Sequence, residues 1–359
     1  MADRWAMTTP DLDRPSVAPD DPSGPARGGC PPPRITVISG GLGGARLALV
    51  LQAAGLERQC CFVTNVGDDC ETDGLLVCPD TDAVLYALGG VFDDDRGWGI
   101  RGDVFPAAPE AEWFHVGHRD RETHVMRDAL LRDGSSLTDV TARLAHGLGV
   151  EARTLPASHD ALRTYVHTPQ GVLEWQEWLV REQGRPPVQK VEYRGVADAR
   201  ATPEVRQAIT EASLLIIAAS SPVASIGPTL ALPGVADWIR ARRRPTVALS
   251  PVTRRRPLVN ERDTRRAAAR AALLAAAGIE HDPVAIARHY ADLIDAYVLD
   301  EADAADVEPV ARLGIEPLVA PLIDRGGGNG LVATLLAFST RADGPRRRGK
   351  SSVVRCRAR

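Results

Sequence analysis

The chain has 359 residues and a formal net charge of −4, with 44% hydrophobic and 25% charged side chains. That is long and apolar enough for a sizeable core and excludes disorder over most of the length. The charge balance gives no general reason to expect nucleic acid, and no apolar run reaches the length of a membrane span. The six cysteines, at 30, 60, 61, 70, 78 and 356, form neither a C-x-x-C nor a zinc-spaced Cys/His array, so reduced thiols are expected. The start of the chain lacks a signal-peptide apolar core, and the expected location is cytoplasmic.

In chain order, residues 1–33 come first, rich in Pro, Asp and Gly and ending in GGCPPP. They bury too little apolar surface to offset ordering and are expected to be disordered. Residues 35–39, ITVIS, read as a short buried strand, followed by a glycine turn, a helix over 44–54 and a second strand at 61–65. From about 120 to 200 the rhythm breaks. Two helical stretches occur there, the second opened by Ser136 with Asp139 as a cap pair. A hairpin follows, with Pro169-Gln170-Gly171 at its turn and alternation through Val172, Glu174, Gln176 and Trp178. This region is expected to be an inserted α+β subdomain over one end of a sheet. Further strands are expected at 213–219, 245–250 and 295–300, beside helical patterns at 264–277 and 306–313. The basic tail, 341–359, is expected to be a disordered, solvated end. Buried strands alternating with helices imply an α/β protein: a Rossmann-like, doubly wound, mostly parallel sheet spanning residues 34–340.

Chemistry is expected at the first turn. In a doubly wound sheet the ligand lies beyond the carboxyl ends of the strands, where backbone N–H groups at the first strand-to-helix turn can meet a phosphate. Gly40, Gly41, Gly43 and Gly44 occupy that turn. The sequence GGLGGAR is neither G-x-G-x-x-G nor a Walker A, so a tight turn packing helix on strand stands as the alternative to a phosphate cradle. After the second strand come Asp68 and Asp69, then Asp80 and Asp82. Capping of the next helix accounts for one acid, not for four in one connection. Carboxylates beside a phosphate loop repel the ligand unless a cation intervenes, and Mg2+ held by one or two carboxylates and phosphate oxygens removes the conflict. The pattern points to a metal-dependent diphosphate site.

The segments ISGGLGGARL, VTNVGDDCETDGLLVCPDTDAVLYALGG, RGWGIRGD, GHRDRETHVMR, GVLEWQEWLV and SPVASIGPTLALPGV occur in order between residues 34 and 320. In that order and spacing the chain resembles the 2-phospho-L-lactate transferase family of coenzyme F420 biosynthesis. The resemblance implies a transferase domain that moves a phosphorylated hydroxy or enol acid from a guanosine diphosphate-linked donor to the ribityl hydroxyl of the deazaflavin Fo. GMP is released with help from Mg2+. Lactate, enolpyruvate and glycerate remain open as the acid. A related group of nucleotide-sugar-binding regulators shares the glycine loop and the sheet, and binding without turnover is the alternative reading. A diverged paralogue with another acid or acceptor is a third. A homodimer is the default assembly.

On this reading Gly40 to Gly44 cradle the donor phosphates, and Asp68, Asp69, Asp80 and Asp82 contact metal or the Fo hydroxyl. Arg119 steadies an anionic group. His124, one helical turn beyond Asp120, is the imidazole available for proton transfer, or else a histidine satisfied at a helix surface. Ser220, Ser221, Ser225 and Gly227 follow a buried strand and face the nucleotide, with Ser221 standing where the family has Asn. Trp98, Trp175 and Trp178 either stack on the deazaflavin or fill core. The chain departs from the family at His118, where a carboxylate is usual, in reading DTDA for DLDT, and over 252–266, where a KGPA-x-K arrangement is usual. One of Arg254, Arg255 and Arg256 is therefore expected to bind the donor.

Overall fold

Parallel strands, buried on both faces, dominate the computed structural model, which describes residues 34–106, 113–322 and 329–341. The two ends expected to be disordered, 1–33 and all but the first residue of the basic tail, lie outside the described residues. In chain order the strands are β1 (Ile35–Ser39), β2 (Cys60–Thr64), β3 (Cys70–Thr72), β4 (Leu75–Val77), β5 (Arg153–Pro156) and β6 (Arg163–Thr168). Then come β7 (Gly171–Glu174), β8 (Lys190–Arg194), β9 (Leu214–Ile217), β10 (Thr246–Leu249), β11 (Ala296–Leu299) and β12 (Glu316–Val319). Seven of them form one parallel sheet in the order β12-β11-β10-β9-β1-β2-β5.

Period-two alternation sends successive residues of each strand to opposite faces. Ile38, Val63, Leu215, Ile217 and Leu299 enter one core, joined by Val205, Ile239 and Leu273 from the helices Pro203–Glu211, Val235–Ala241 and Glu261–Ala276. Val37, Phe62, Ile216, Val247 and Val298 enter the other, joined by Leu47 and Leu335 from Gly41–Ala53 and Asn329–Arg341. Helices thus cover both faces, as a continuously apolar parallel strand requires.

The topology positions the site. From β1 the chain runs outward to β2 and β5, then returns to β9 on the other side of β1, so that Val37 lies opposite both Phe62 and Ile216. This reversal opens a crevice beyond the carboxyl ends of β1 and β9.

Two expectations need correction. Residues 120–200 are not one separable insertion, because β5 pairs with β2 in the main sheet, Leu155 opposite Val63. Within that stretch only the antiparallel sheet β7-β6-β8 stands outside the main sheet as strand structure. The hairpin also ends at Glu174: Trp178 belongs to a helical turn, Glu177–Arg181, which Gln176 caps. Burial decides this, since the Trp178 indole is fully enclosed and its Nε1 donates to the Pro186 carbonyl at 3.0 Å. The Ser136 cap is present, its Oγ accepting from the Asp139 N–H at 3.1 Å. Cys60, Cys61, Cys70 and Cys78 are buried and outside any disulfide. No helix among the described residues is long and apolar enough to cross a membrane.

Candidate functional site

Three turns meet at the crevice: the glycine turn after β1, the acidic turn after β2, and Ser220 to Gly227 after β9. Gly41 starts its helix with φ +52°, a conformation glycine adopts without strain. Gly43 is where backbones approach most closely. A Cβ there would lie 2.3 Å from the Ala219 carbonyl oxygen and 2.8 Å from Ser220 Oγ. The space above Gly44 is filled by Ser39, and that above Gly40 by Asp80 and Ser225. These three glycines therefore serve close packing, the alternative reading of the motif. Gly43→Ala is expected to cost about 1–3 kcal/mol of stability through overpacking, read by denaturant unfolding, and a wild-type value would contradict the contact. On the β9 side, Ser220 Oγ donates to the Gly40 carbonyl at 2.6 Å, while Ser221 Oγ accepts from the Ala224 N–H at 3.1 Å. Gly227 abuts the Tyr193 hydroxyl, so it too is a packing position.

The four aspartates are all buried, but they divide into two kinds. Asp68 and Asp80 hydrogen-bond to each other, and Asp80 also accepts the Gly41 N–H. Burial raises both; Asp80 reaches about 6, and Asp68 is pushed up further by the Asp80 and Asp69 charges. Asn65, which the sequence reading passed over, ties the turns together. Its Nδ2 donates to Asp80 at 3.0 Å, to Asp68 at 3.5 Å and to the Ala224 carbonyl at 3.2 Å, while its Oδ1 accepts from the Gly67 N–H at 2.8 Å. The Asn-Val-Gly turn at the end of a strand was the available signal. Asp69 is raised by burial to about 7, against the pull of Arg163 and Arg127.

Asp82 differs because it is neutralised. Arg127, also missed from sequence, pairs with its Oδ1 and donates to the Leu76 carbonyl at 3.1 Å. His124 Nε2 lies 3.6 Å from Asp82 Oδ2 and 3.3 Å from Asp120 Oδ1, and the Tyr86 hydroxyl donates to Asp120 at 2.7 Å. Burial raises the Asp82 carboxyl, but Arg127 and His124 more than offset this and hold it below its usual value. Asp120, His124 and Arg127 are spaced i, i+4, i+7 on the helix His118–Arg132, one face, which is the signal that could have found Arg127.

Burial lowers the His124 pKa, yet bonds and charges from Asp120 and Asp82 raise it overall. The ring thus sits between two carboxylates that favour its protonated form, a setting different from that of a surface histidine. A histidine raised above its unfolded value of 6.5 contributes stability that is complete below that value and is lost as pH rises through the folded one. His124→Gln is therefore expected to destabilise more at about pH 6 than at about pH 9. Equal unfolding free-energy differences at both would contradict the network.

Arg119 stands apart from this cluster, half-buried, with its Nη1 on the Arg101 carbonyl at 3.4 Å. Trp178 is core and Trp175 packs on it at 5.5 Å; Trp98 is 43% exposed beside Phe105. The three arginines expected to offer a donor contact are each paired with an acid. Arg254 pairs with Asp282 (2.6 Å) and Asp306 (3.2 Å), Arg255 with Asp303 (3.2 Å) and Asp306 (2.8 Å), and Arg256 with Asp300 (2.8 Å). These bonds tie the loop after β10 to Asp282 and to the segment after β11, so part of each guanidinium's bonding capacity is taken up by protein acids.

The facing carboxyls of Asp68 and Asp80 are a two-carboxylate set of the kind that holds a hard divalent cation together with phosphate oxygens, and Asp69 Oδ1 is buried without a hydrogen-bond partner. Among the described residues only Asp82, Asp120 and His124 bring three such ligand atoms within 4.8 Å of one another, so the four aspartates expected to share one ion do not converge, and Arg127 already supplies positive charge at that trio.

An acidic, glycine-lined crevice at the switch point of a doubly wound sheet defines an α/β protein built to bind a ligand at the carboxyl ends of its central strands. Residues 35–319 match the family described as 2-phospho-L-lactate transferase CofD, and the chain belongs to that family. It is 34% identical over 286 residues to a 2-phospho-L-lactate transferase from Methanosarcina mazei, covering 78% of this chain and 91% of the relative. It is equally 34% identical, over 316 residues, to a phosphoenolpyruvate transferase from Mycobacterium avium, covering 77% and 91%. A crystal structure of a UPF0052 family member from Bacillus halodurans superposes with a TM-score of 0.55 at 15% identity, over 88% of this chain and 99% of that one. That last likeness shows the fold alone.

Proposed function

We propose that the chain moves a phosphorylated hydroxy or enol acid from a guanosine diphosphate-linked donor to the ribityl hydroxyl of Fo, releasing GMP. Family membership supports the reaction type, and the buried Asp68–Asp80 pair carries the reading at the level of the site. Two desolvated carboxyls in contact need a shared proton or a cation, and they stand at the turn where a diphosphate would lie. Asp68 and Asp80 would hold Mg2+ together with phosphate oxygens of the donor. When bound, the ion supplies charge neutralisation to the donor phosphates.

The chain's own groups do the rest. Helix geometry leaves the first-turn N–H groups of Leu42 and Gly43 without intrahelical acceptors, and these can meet phosphate oxygens. Asn65 holds Asp68 and Asp80 in place, and Arg127 with His124 holds Asp82. In the transfer the Fo hydroxyl oxygen bonds to phosphorus, the bond from phosphorus to the GMP oxygen breaks, and the hydroxyl proton passes to a carboxylate. Asp69, raised by burial to about 7 and outside the pair that would hold the ion, is the candidate for that proton.

Equal identity to relatives named for two different acids does not choose between lactate and enolpyruvate. Purified protein with Fo, Mg2+ and each candidate guanylyl donor, followed by mass analysis of the deazaflavin product, names the acid. One adduct mass is expected, and no adduct from any donor would contradict the proposal.

A further inference from the structure

Arg254, Arg255 and Arg256 are paired with carboxylates, and a set of cations without such partners lies one element further on. Arg262, Arg266 and Arg270 follow at intervals of four along the helix Glu261–Ala276, so they form a stripe on one face spanning about 12 Å. All three are half-buried. None makes a hydrogen bond or ion pair among the described residues, and Arg262 Nε is buried without any partner. Like charges at this spacing repel, and partial burial adds a desolvation cost. Elsewhere this chain meets buried or half-buried arginines with acids, as at Arg127 and Arg255. Here it does not.

The stripe borders the crevice. Its helix packs on the segment Pro222–Ile226 after β9, and Arg266 lies near enough to Arg46, on the helix that begins at the glycine turn, for their charges to repel. Arg46 is itself paired with Asp94 at 3.1 Å. The Arg266 guanidinium packs against Gly97, where a Cβ would be 2.5 Å from Nη2. Burial, then Arg262 and Arg46, pull Arg266 down to about 10, which leaves it cationic at neutral pH.

We propose that Arg262, Arg266 and Arg270 form a subsite for a multiply charged phosphate ligand, gripping the diphosphate side of the nucleotide donor from across the crevice. The anion site follows from the unpaired stripe; its assignment to a guanosine donor rests on the transferase reading. Guanidinium forks suit this task because each can hold an oxyanion with two parallel bonds.

The test uses wild-type protein, Arg266→Gln and Arg262→Gln, with calorimetric titration and thermal unfolding in pyrophosphate, GDP and guanosine. Wild type is expected to bind pyrophosphate and GDP and to gain melting temperature from each. Arg266→Gln should melt at or above the wild-type temperature without ligand, because a like charge is gone. It should bind pyrophosphate and GDP about tenfold or more weakly while guanosine affinity stays unchanged, and Arg262→Gln should behave the same way. Wild-type affinity for both anions in both variants, or no pyrophosphate binding by wild type, overturns the proposal. Arginine-dependent binding of pyrophosphate without binding of GDP supports the anion site and instead sinks the guanosine donor.

Discussion

Arg127→Met is expected to cost about 3–5 kcal/mol of folding stability, because it strips the main counter-charge from a buried carboxylate. The Asp82 side chain is 5% exposed and Arg127 1%, so neither is screened by water. What remains would be Asp82 facing His124 at 3.6 Å, with the Leu76 carbonyl also losing its donor. Urea unfolding reads the loss. Asp82→Leu in the same protein should return part of it, since removing both partners deletes the unpaired charge, and the two effects should be strongly non-additive. The exposed pair Arg312 with Glu308 is the control, and Arg312→Met should unfold as wild type does. Wild-type stability in Arg127→Met would show that the buried network contributes nothing.

The second large effect is on turnover. Asp68→Asn and Asp80→Asn are each expected to lower kcat/KM by about a hundredfold or more, while the folded state is unchanged or more stable. The stability side follows from the structure: two desolvated carboxyls that raise each other's proton affinity repel when ionised, and an amide in place of one ends the repulsion. Loss of activity at undiminished stability is the signature of groups kept for chemistry rather than for folding. Full activity in both variants, or in EDTA, would remove the proposed metal role.

How much of this was legible in the sequence depends on how far apart the partners lie along the chain. The strands β1, β2 and β9 to β11 could be read because a strand buried on both faces is apolar throughout, a local property. The end of the hairpin could not, since Trp178 leaves the strand to reach a core that other segments build. Four clustered aspartates were visible as an anomaly of composition. Their division was not, because Arg127 lies 45 residues beyond Asp82 and Asn65 reads locally as an ordinary turn residue. The same limit hid the partners of the arginines: Arg254 to Arg256 meet acids at 282–306 only because β10 and β11 are neighbours in the sheet. Glycines 40, 43 and 44 marked the right place for another reason, since protein atoms occupy the space their missing side chains leave.

The most direct test of the transferase reading is GMP release measured in the presence and absence of Fo, with one guanosine diphosphate-linked acid donor and Mg2+. The account predicts GMP formed only when donor and Fo are both present, in amounts equal to the acid-bearing deazaflavin. Donor binding with no GMP released in the presence of Fo would contradict it and make this member of the family a binding protein.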